Sequence, residues 1–283
     1  MIRYTTPFHR SGRLFAAALI AVLAPAGLAS AQDTIKPATD ETTAYEPKAM
    51  AVLARHVEAV GGEEAIKKLR HRTLVGEMEI PQAGLRGPLT VMTSAPNRFL
   101  MVLQFDGIGE MKQGFDGKTA WSLDPMQGGM VMDGAQFEQL RRQADFYAEL
   151  NHQKNYKSIR YVGETTFNDV KCHELRLTDK LGKDSTHYYN METNLFAGMR
   201  SDTESPMGAI TQTTRVLEYK EFDGVRVATS VYVQAMQMEQ RVIVKTVSHD
   251  PVADSTYELP AQIKAMLPED AKDEAAPKEP SRN

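Results

Sequence analysis

Phe115-Asp116-Gly117-Lys118-Thr119-Ala120-Trp121-Ser122-Leu123-Asp124-Pro125 is the stretch that says most about this chain. An Asp-Gly pair between two alternating runs is the strongest short-range signal for a tight β-hairpin turn. Trp121, the single tryptophan, follows on the outgoing strand. Upstream, Ser94-Ala95-Pro96-Asn97-Arg98-Phe99 begins another strand. Together they predict a large antiparallel sheet that curves around something apolar. No catalytic constellation accompanies them, so the stretch points to holding a ligand rather than transforming one.

The sequence on either side reads as strands with helical cover. From Thr73 to Ile80 the apolar period is two, and Pro81 stops the run. Phe99, Met101, Leu103 and Phe105 share one face of the next clear strand, with Leu100 and Val102 on the other. A strand apolar on both faces is covered on both sides. Val225, Val227, Thr229, Val231 and Val233 alternate with Arg226, Ala228, Ser230, Tyr232 and Gln234. Turn signals recur roughly every 8 to 15 residues, which suits a meander rather than parallel βαβ units. The pattern predicts about ten or eleven strands, and a sheet of that size either closes or curls around a cover.

Two helical regions supply that cover. The first begins near Lys48, with Met50, Leu53, Val57 and Val60 on one face, Ala54 beside them, and Gly61-Gly62 ending it. Glu63 to Leu69 makes a short second piece. Asp133, with Gln136 three residues later, forms a capping-box pattern. It opens a helix expected over Ala135–Leu150, whose stripe is Phe137, Leu140, Ala144 and Tyr147. The predicted class is α+β, mainly β.

The ends carry other instructions. Arg3, Arg10 and Arg13 precede an apolar stretch from Leu14 to Ala24, and Ala29-Ser30-Ala31 supplies the small residues a signal peptidase needs. Residues 1–31 are therefore read as a secretory signal cleaved after Ala31, which places the protein in the periplasm. Cleavage removes three arginines and no acids, moving the net charge from −4 to −7. No basic block survives, which argues against nucleic acid as a partner. No cysteine lies near the cleavage site, so no lipidated N-terminus is expected. Cys172 stands alone, which excludes an internal disulfide and leaves the core to hold roughly 250 mature residues together. Residues 32–47 read as a flexible linker, 48–267 as one domain, and 268–283 as a disordered tail.

In order and motif the chain resembles the periplasmic outer-membrane lipoprotein carrier (LolA-like) superfamily, as a divergent paralogue. The resemblance rests on Pro96-Asn97-Arg98-Phe99 as a Pro-Asn-x-Phe strand start. It rests equally on Asp116 to Pro125 as an Asp-Gly-Lys-x-x-Trp-x-x-x-Pro hairpin. The order of elements agrees from about Lys48 to His249; the motif itself covers about thirty residues. It implies an unclosed, strongly curved antiparallel β half-barrel with helices as a lid over an apolar cavity. It also implies the carriage of acyl chains of lipids or lipoproteins. One departure matters: the carrier has an arginine before the proline of its Pro-Asn motif, where this chain has Ala95. That arginine tethers the family's lid, so its opening mechanism does not transfer.

The residues expected to line a cavity are Met78, Phe99, Met101, Leu103, Trp121, Phe137, Leu140, Tyr147, Val231 and Val233. Methionine is abundant, and Met78, Met92, Met101, Met111, Met236 and Met238 fall at strand positions. Its flexible thioether suits varied apolar ligands as well as ordinary core filling. The histidines show no HExxH, no His-x-His and no paired cysteines, so neither a metal site nor a cofactor is expected. Asp184-Ser185-Thr186-His187 holds the residue types of a hydrolase triad. However, adjacent strand residues face opposite ways and Ser185 lacks a nucleophile elbow, so no catalytic residue and no enzyme activity is assigned. The expected partner is a lipid or lipoprotein acyl chain. The alternative is a sensory or assembly module that docks an envelope protein through an edge strand.

Overall fold

A computed structural model describes residues 44–205 and 208–268, with the side chains of 203–209 left aside. The expected signal, most of the linker and nearly all of the tail lie outside the described residues. The order of elements is α1 (Pro47–Ala59), α2 (Glu63–Lys68), β1 (His71–Ile80), β2 (Leu85–Ser94), β3 (Arg98–Phe105), β4 (Gly109–Phe115), β5 (Ala120–Asp124) and β6 (Gly128–Val131). Then follow α3 (Gly134–Ala144), α4 (His152–Asn155), β7 (Tyr156–Phe167), β8 (Val170–Asp179), β9 (Asp184–Asn190), β10 (Phe196–Ser205), β11 (Gly208–Phe222), β12 (Val225–Ala235), β13 (Met238–Ser248) and α5 (Ala261–Met266).

All thirteen strands form one strongly curved, unclosed antiparallel sheet in the order β6-β5-β4-β3-β2-β1-β13-β12-β11-β10-β9-β8-β7. The half-barrel class agrees with the sequence. The strand number, thirteen, is higher than the ten or eleven expected. The order has one non-sequential step, β1 against β13. It joins two meanders and leaves β6 and β7 as the two edges.

Those edges are consecutive in the chain. The connection between them, residues 132–155 with α3 and α4, must therefore travel from one rim of the open sheet to the other. It does so over one face, where Phe137, Leu140 and Ala144 of α3 pack on β1, β3, β4 and β5. This connection is the lid. α1 covers the same face over β7–β9, where Ala49, Val52 and Leu53 meet Ile159, Leu175, Leu177 and Tyr189.

Four local expectations need correction. The buried stripe of α1 is Ala49, Val52, Leu53 and His56, while Ala54 is exposed and Val57 half-buried. The stripe turns because His56 is drawn inward by two hydrogen bonds described below. The helix expected to reach Leu150 stops at Ala144. Asp145 then accepts hydrogen bonds from the Tyr147 N–H and from the amides of Asn151 and Asn155, folding residues 145–155 into a compact turn. Asp133 occupies the cap position of α3 but makes no side-chain cap bond. Finally, residues 44–46 of the segment read as linker are held against the β7 edge, where Ile159 donates to Ala44 O and accepts from Glu46 N.

The C-terminal segment covers the opposite, outer face. Tyr257, Leu259 and Ile263 pack on Leu100 and Trp121. The Tyr257 hydroxyl lies 2.8 Å from Ser94 Oγ, which in turn meets His71 Nδ1 at 2.8 Å. Arg98 pairs with Asp254 along the same strap. Cys172 is fully buried with Phe167 and Tyr188, as a small apolar residue would be, and burial pushes its thiol up.

Candidate functional site: the lid and the inner face

The two sequence motifs meet at one end of the sheet. Phe99 pairs with Phe115, which pairs with Ala120. The Asp116 carboxylate accepts from the N–H groups of Lys118 and Thr119, making a four-residue loop rather than a two-residue turn. Because side chains alternate along a strand, this register fixes which expected residues can face the lid. Phe99, Met101 and Leu103 of β3, Met78 of β1 and Met111 of β4 all point inward, beneath Phe137 and Leu140. The rings of Phe115 and Phe137 meet edge-on at 5.8 Å. Val231 pairs with Val242, which pairs with Met78, so Val231 and its neighbour-but-one Val233 belong to the same face.

Two expected cavity residues lie elsewhere. Ala120 points inward, so Trp121 must point outward; it sits over Gly114 on the outer face, under the C-terminal strap. A Cβ on Gly114 would come within 2.4 Å of the Trp121 ring, so the glycine makes room for it. Tyr147, beyond the end of α3, packs with Val60, Ile66 and Val225 and donates its hydroxyl to Leu69 O. It anchors the turn after α3 to α2.

The other half of the lid covers a polar group that the sequence reading did not assemble. His56 Nε2 lies 3.1 Å from a Glu149 carboxylate oxygen, and His56 Nδ1 lies 3.1 Å from the Asn194 carbonyl oxygen. Burial works to lower the His56 pKa, but the Glu149 hydrogen bond and charge and the Asn194 carbonyl together raise it. The Glu149 side chain is half-exposed, and the His56 bond, with the charges of His56, His152 and Arg72, holds its carboxyl below the usual carboxylate range. His187 is lowered to about 3, by burial first and then by the charges around it, so it is neutral. His152 is lowered for the same first reason.

These groups line a cavity of about 160 Å³ bounded by His56, Arg142, Glu149, His152, Asn155 and His187, with Tyr156, Leu177, Tyr189 and Phe196 as apolar wall. A second cavity of about 120 Å³ shares Arg142, Tyr156 and His187 and reaches Ser185, Met199 and Gln212. Ser185 and His187, two apart on β9, share a face, and Ser185 Oγ lies 3.2 Å from His187 Nε2. This corrects the opposite-face argument for that pair. Asp184 turns the other way and accepts from Thr178. Among the described residues no group of three His, Cys, Asp or Glu side chains is arranged to hold a metal ion.

The signal for this cluster was present in part. His56 stands three and four residues from Leu53 and Val52 and seven from Ala49, which is inner-face spacing. Glu149 and Arg142 carried no such signal, since their partners, His56 and Asp179, come from α1 and β8.

No protein-family model and no curated protein sequence matches this chain. Among solved structures, a DUF1329 family protein from Desulfovibrio piger superposes with a TM-score of 0.54 at 13% identity, covering 76% of this chain and 98% of that one. A LolA superfamily protein from Nitrosomonas europaea superposes with a TM-score of 0.52 at 11% identity, covering 74% and 96%.

The fold is LolA-like.

At these identities the likeness is one of fold. Within this LolA-like half-barrel, the resemblance read from Pro96–Phe99 and Asp116–Pro125 has a structural meaning: the two motifs build the rim against which α3 closes. Arg98, the nearest arginine to the position of Ala95, points to the outer strap rather than to the lid. No described helix is long and apolar enough to cross a membrane.

Proposed function

We propose that this protein binds and carries an acylated apolar ligand between the inner face of its half-barrel and the lid, after export and cleavage at Ala31. The observation that carries the reading is the lid itself. A separate connection lays Phe137 and Leu140 on a face built of Met78, Phe99, Met101, Leu103 and Met111, in a sheet that is not closed. Such a face is complementary to any apolar chain that could replace α3.

Ligand pockets commonly enclose about 300–1,000 Å³, and the cavities here are about 160 and 120 Å³. In the described residues α3 itself occupies the inner face, with Phe137, Leu140 and Ala144 packed where a chain would lie. Each methylene buried contributes about 0.8 kcal/mol, and displacing Phe137 and Leu140 from the core offsets part of that. Exchange between lid and ligand, rather than filling of an open tunnel, is the reading's mechanism. The methionines suit it, since they repack readily around different shapes.

Native mass spectrometry of the protein taken from its own envelope, followed by lipid extraction, tests this directly. A defined extra mass that releases an acylated molecule supports the reading. A clean apo mass, with no uptake of fatty acid afterwards, overturns it. In that event the docking reading gains ground, because β7 is an edge strand whose described outer partner is only the short segment at residues 44–46. Such an edge can accept a partner strand.

A further inference from the structure

We propose that the polar cavity beneath the turn after α3 is a binding site for an anionic group, a carboxylate or a phosphate, and that it receives the charged end of the ligand whose chain lies under α3. The second half of this statement rests on the carrier reading; the first does not.

The argument begins with the carboxylates, which already have partners. Glu149 is bonded to His56. Asp179 accepts from Arg142 and from the backbone N–H groups of Leu181 and Lys183. Asp145 accepts from two asparagine amides and a backbone N–H. The nitrogen side is less fully spent. His152 Nε2 is buried without a hydrogen-bond partner, as is Arg72 Nε close behind the cluster. Arg142 gives one N–H to Asp179 and lines both cavities.

Charge follows the same direction. Among the residues lining the first cavity, Arg142 and an imidazolium at His56 outnumber the single carboxylate, Glu149. His152 and His187 are neutral there because burial and neighbouring cations resist another positive charge. An anion entering between them reverses that resistance and turns both rings into charged donors. The Asn155 side-chain Oδ1, buried and without a partner, adds one acceptor, which suits a hydroxyl carried on or beside the acid. A volume of about 160 Å³ holds a carboxylate or phosphate with a few waters. Tyr156, Leu177 and Phe196 then offer the first apolar surface to a chain leaving the cavity.

Decanoate and decanol share a chain and differ in the head, so titrating each calorimetrically at pH 7 tests the site. Wild-type protein is expected to prefer decanoate by about tenfold or more, since charge-assisted hydrogen bonds are the strong ones. His152→Gln and Arg142→Gln, each checked for folding by circular dichroism, should lose that preference while keeping the decanol affinity. Equal affinity for the two, or a preference that survives both substitutions, overturns the site and leaves the carrier reading standing. If neither compound binds, the carrier reading fails. Inorganic phosphate alone then decides the anion site, by moving the side-chain resonances of His152 and His187 or leaving them still.

Discussion

His56 presents both ring nitrogens to acceptors, a carboxylate and a carbonyl, so both must donate and the ring is an imidazolium in the closed lid. Its pKa is raised above 6.5, so this contribution is complete below about 6.5 and is lost as pH rises through the folded value. Amide exchange of residues 145–155, corrected for intrinsic rates, should therefore quicken from pH 6 to pH 9. His56→Gln should exchange fast at both. Unchanged protection in the wild type would refute the tie. His187 has the opposite sign. Its folded pKa of about 3 means that only the unfolded chain takes a proton as pH drops below 6.5, so stability falls from there toward 3. Unfolding free energies from denaturant titrations at pH 7 and 4.5 should differ by on the order of 1–3 kcal/mol on its account, and His187→Asn should flatten that slope. Gly114→Ala forces a methyl into the Trp121 ring. It should cost about 1–3 kcal/mol, read as a lower urea midpoint.

At the scale of elements, the lid and the strap do different work on opposite faces. Leu140 is fully buried in the cluster under α3. Leu140→Ala should lower global stability by roughly 2–5 kcal/mol, and it should also speed acyl-chain exchange, because the same contacts must break for the lid to lift. Slower exchange would contradict the lid mechanism. The strap holds Trp121, so its fluorescence reports on the outer face. A fatty acid titration should leave Trp121 emission unchanged, whereas truncation after Ser248 should shift it to the red by baring the ring to water. The capping-box pattern at Asp133 located the start of α3 correctly, since helix starts are written in local residues. The end was misplaced by six residues, because Asp145 and its two asparagine partners compete with the helix through side-chain bonds that periodicity cannot register.

For the whole molecule, the antiparallel half-barrel with helical cover was legible because alternation, turn residues and a helical stripe are all short-range. The inward set Met78, Phe99, Met101, Leu103, Phe137, Leu140, Val231 and Val233 was legible for the same reason, each residue being fixed by the parity of its own element. Trp121 was misplaced, although parity with Ala120 separates it from that set once the face of Phe115 is known. What no local pattern contains is the pairing of β1 with β13, two strands more than 150 residues apart. That single contact leaves β6 and β7 as edges and compels the chain between them to cross the open face. It therefore makes a lid out of α3, and brings His56, Arg142, Glu149, His152 and His187 from separate elements around one cavity. The sequence by itself determined the strands, their faces and the apolar character of the inner surface, because these depend on neighbours along the chain. Only the tertiary structure decided which connection crosses the open face as the lid and that its far half is polar, because both arise from contacts between residues far apart in sequence.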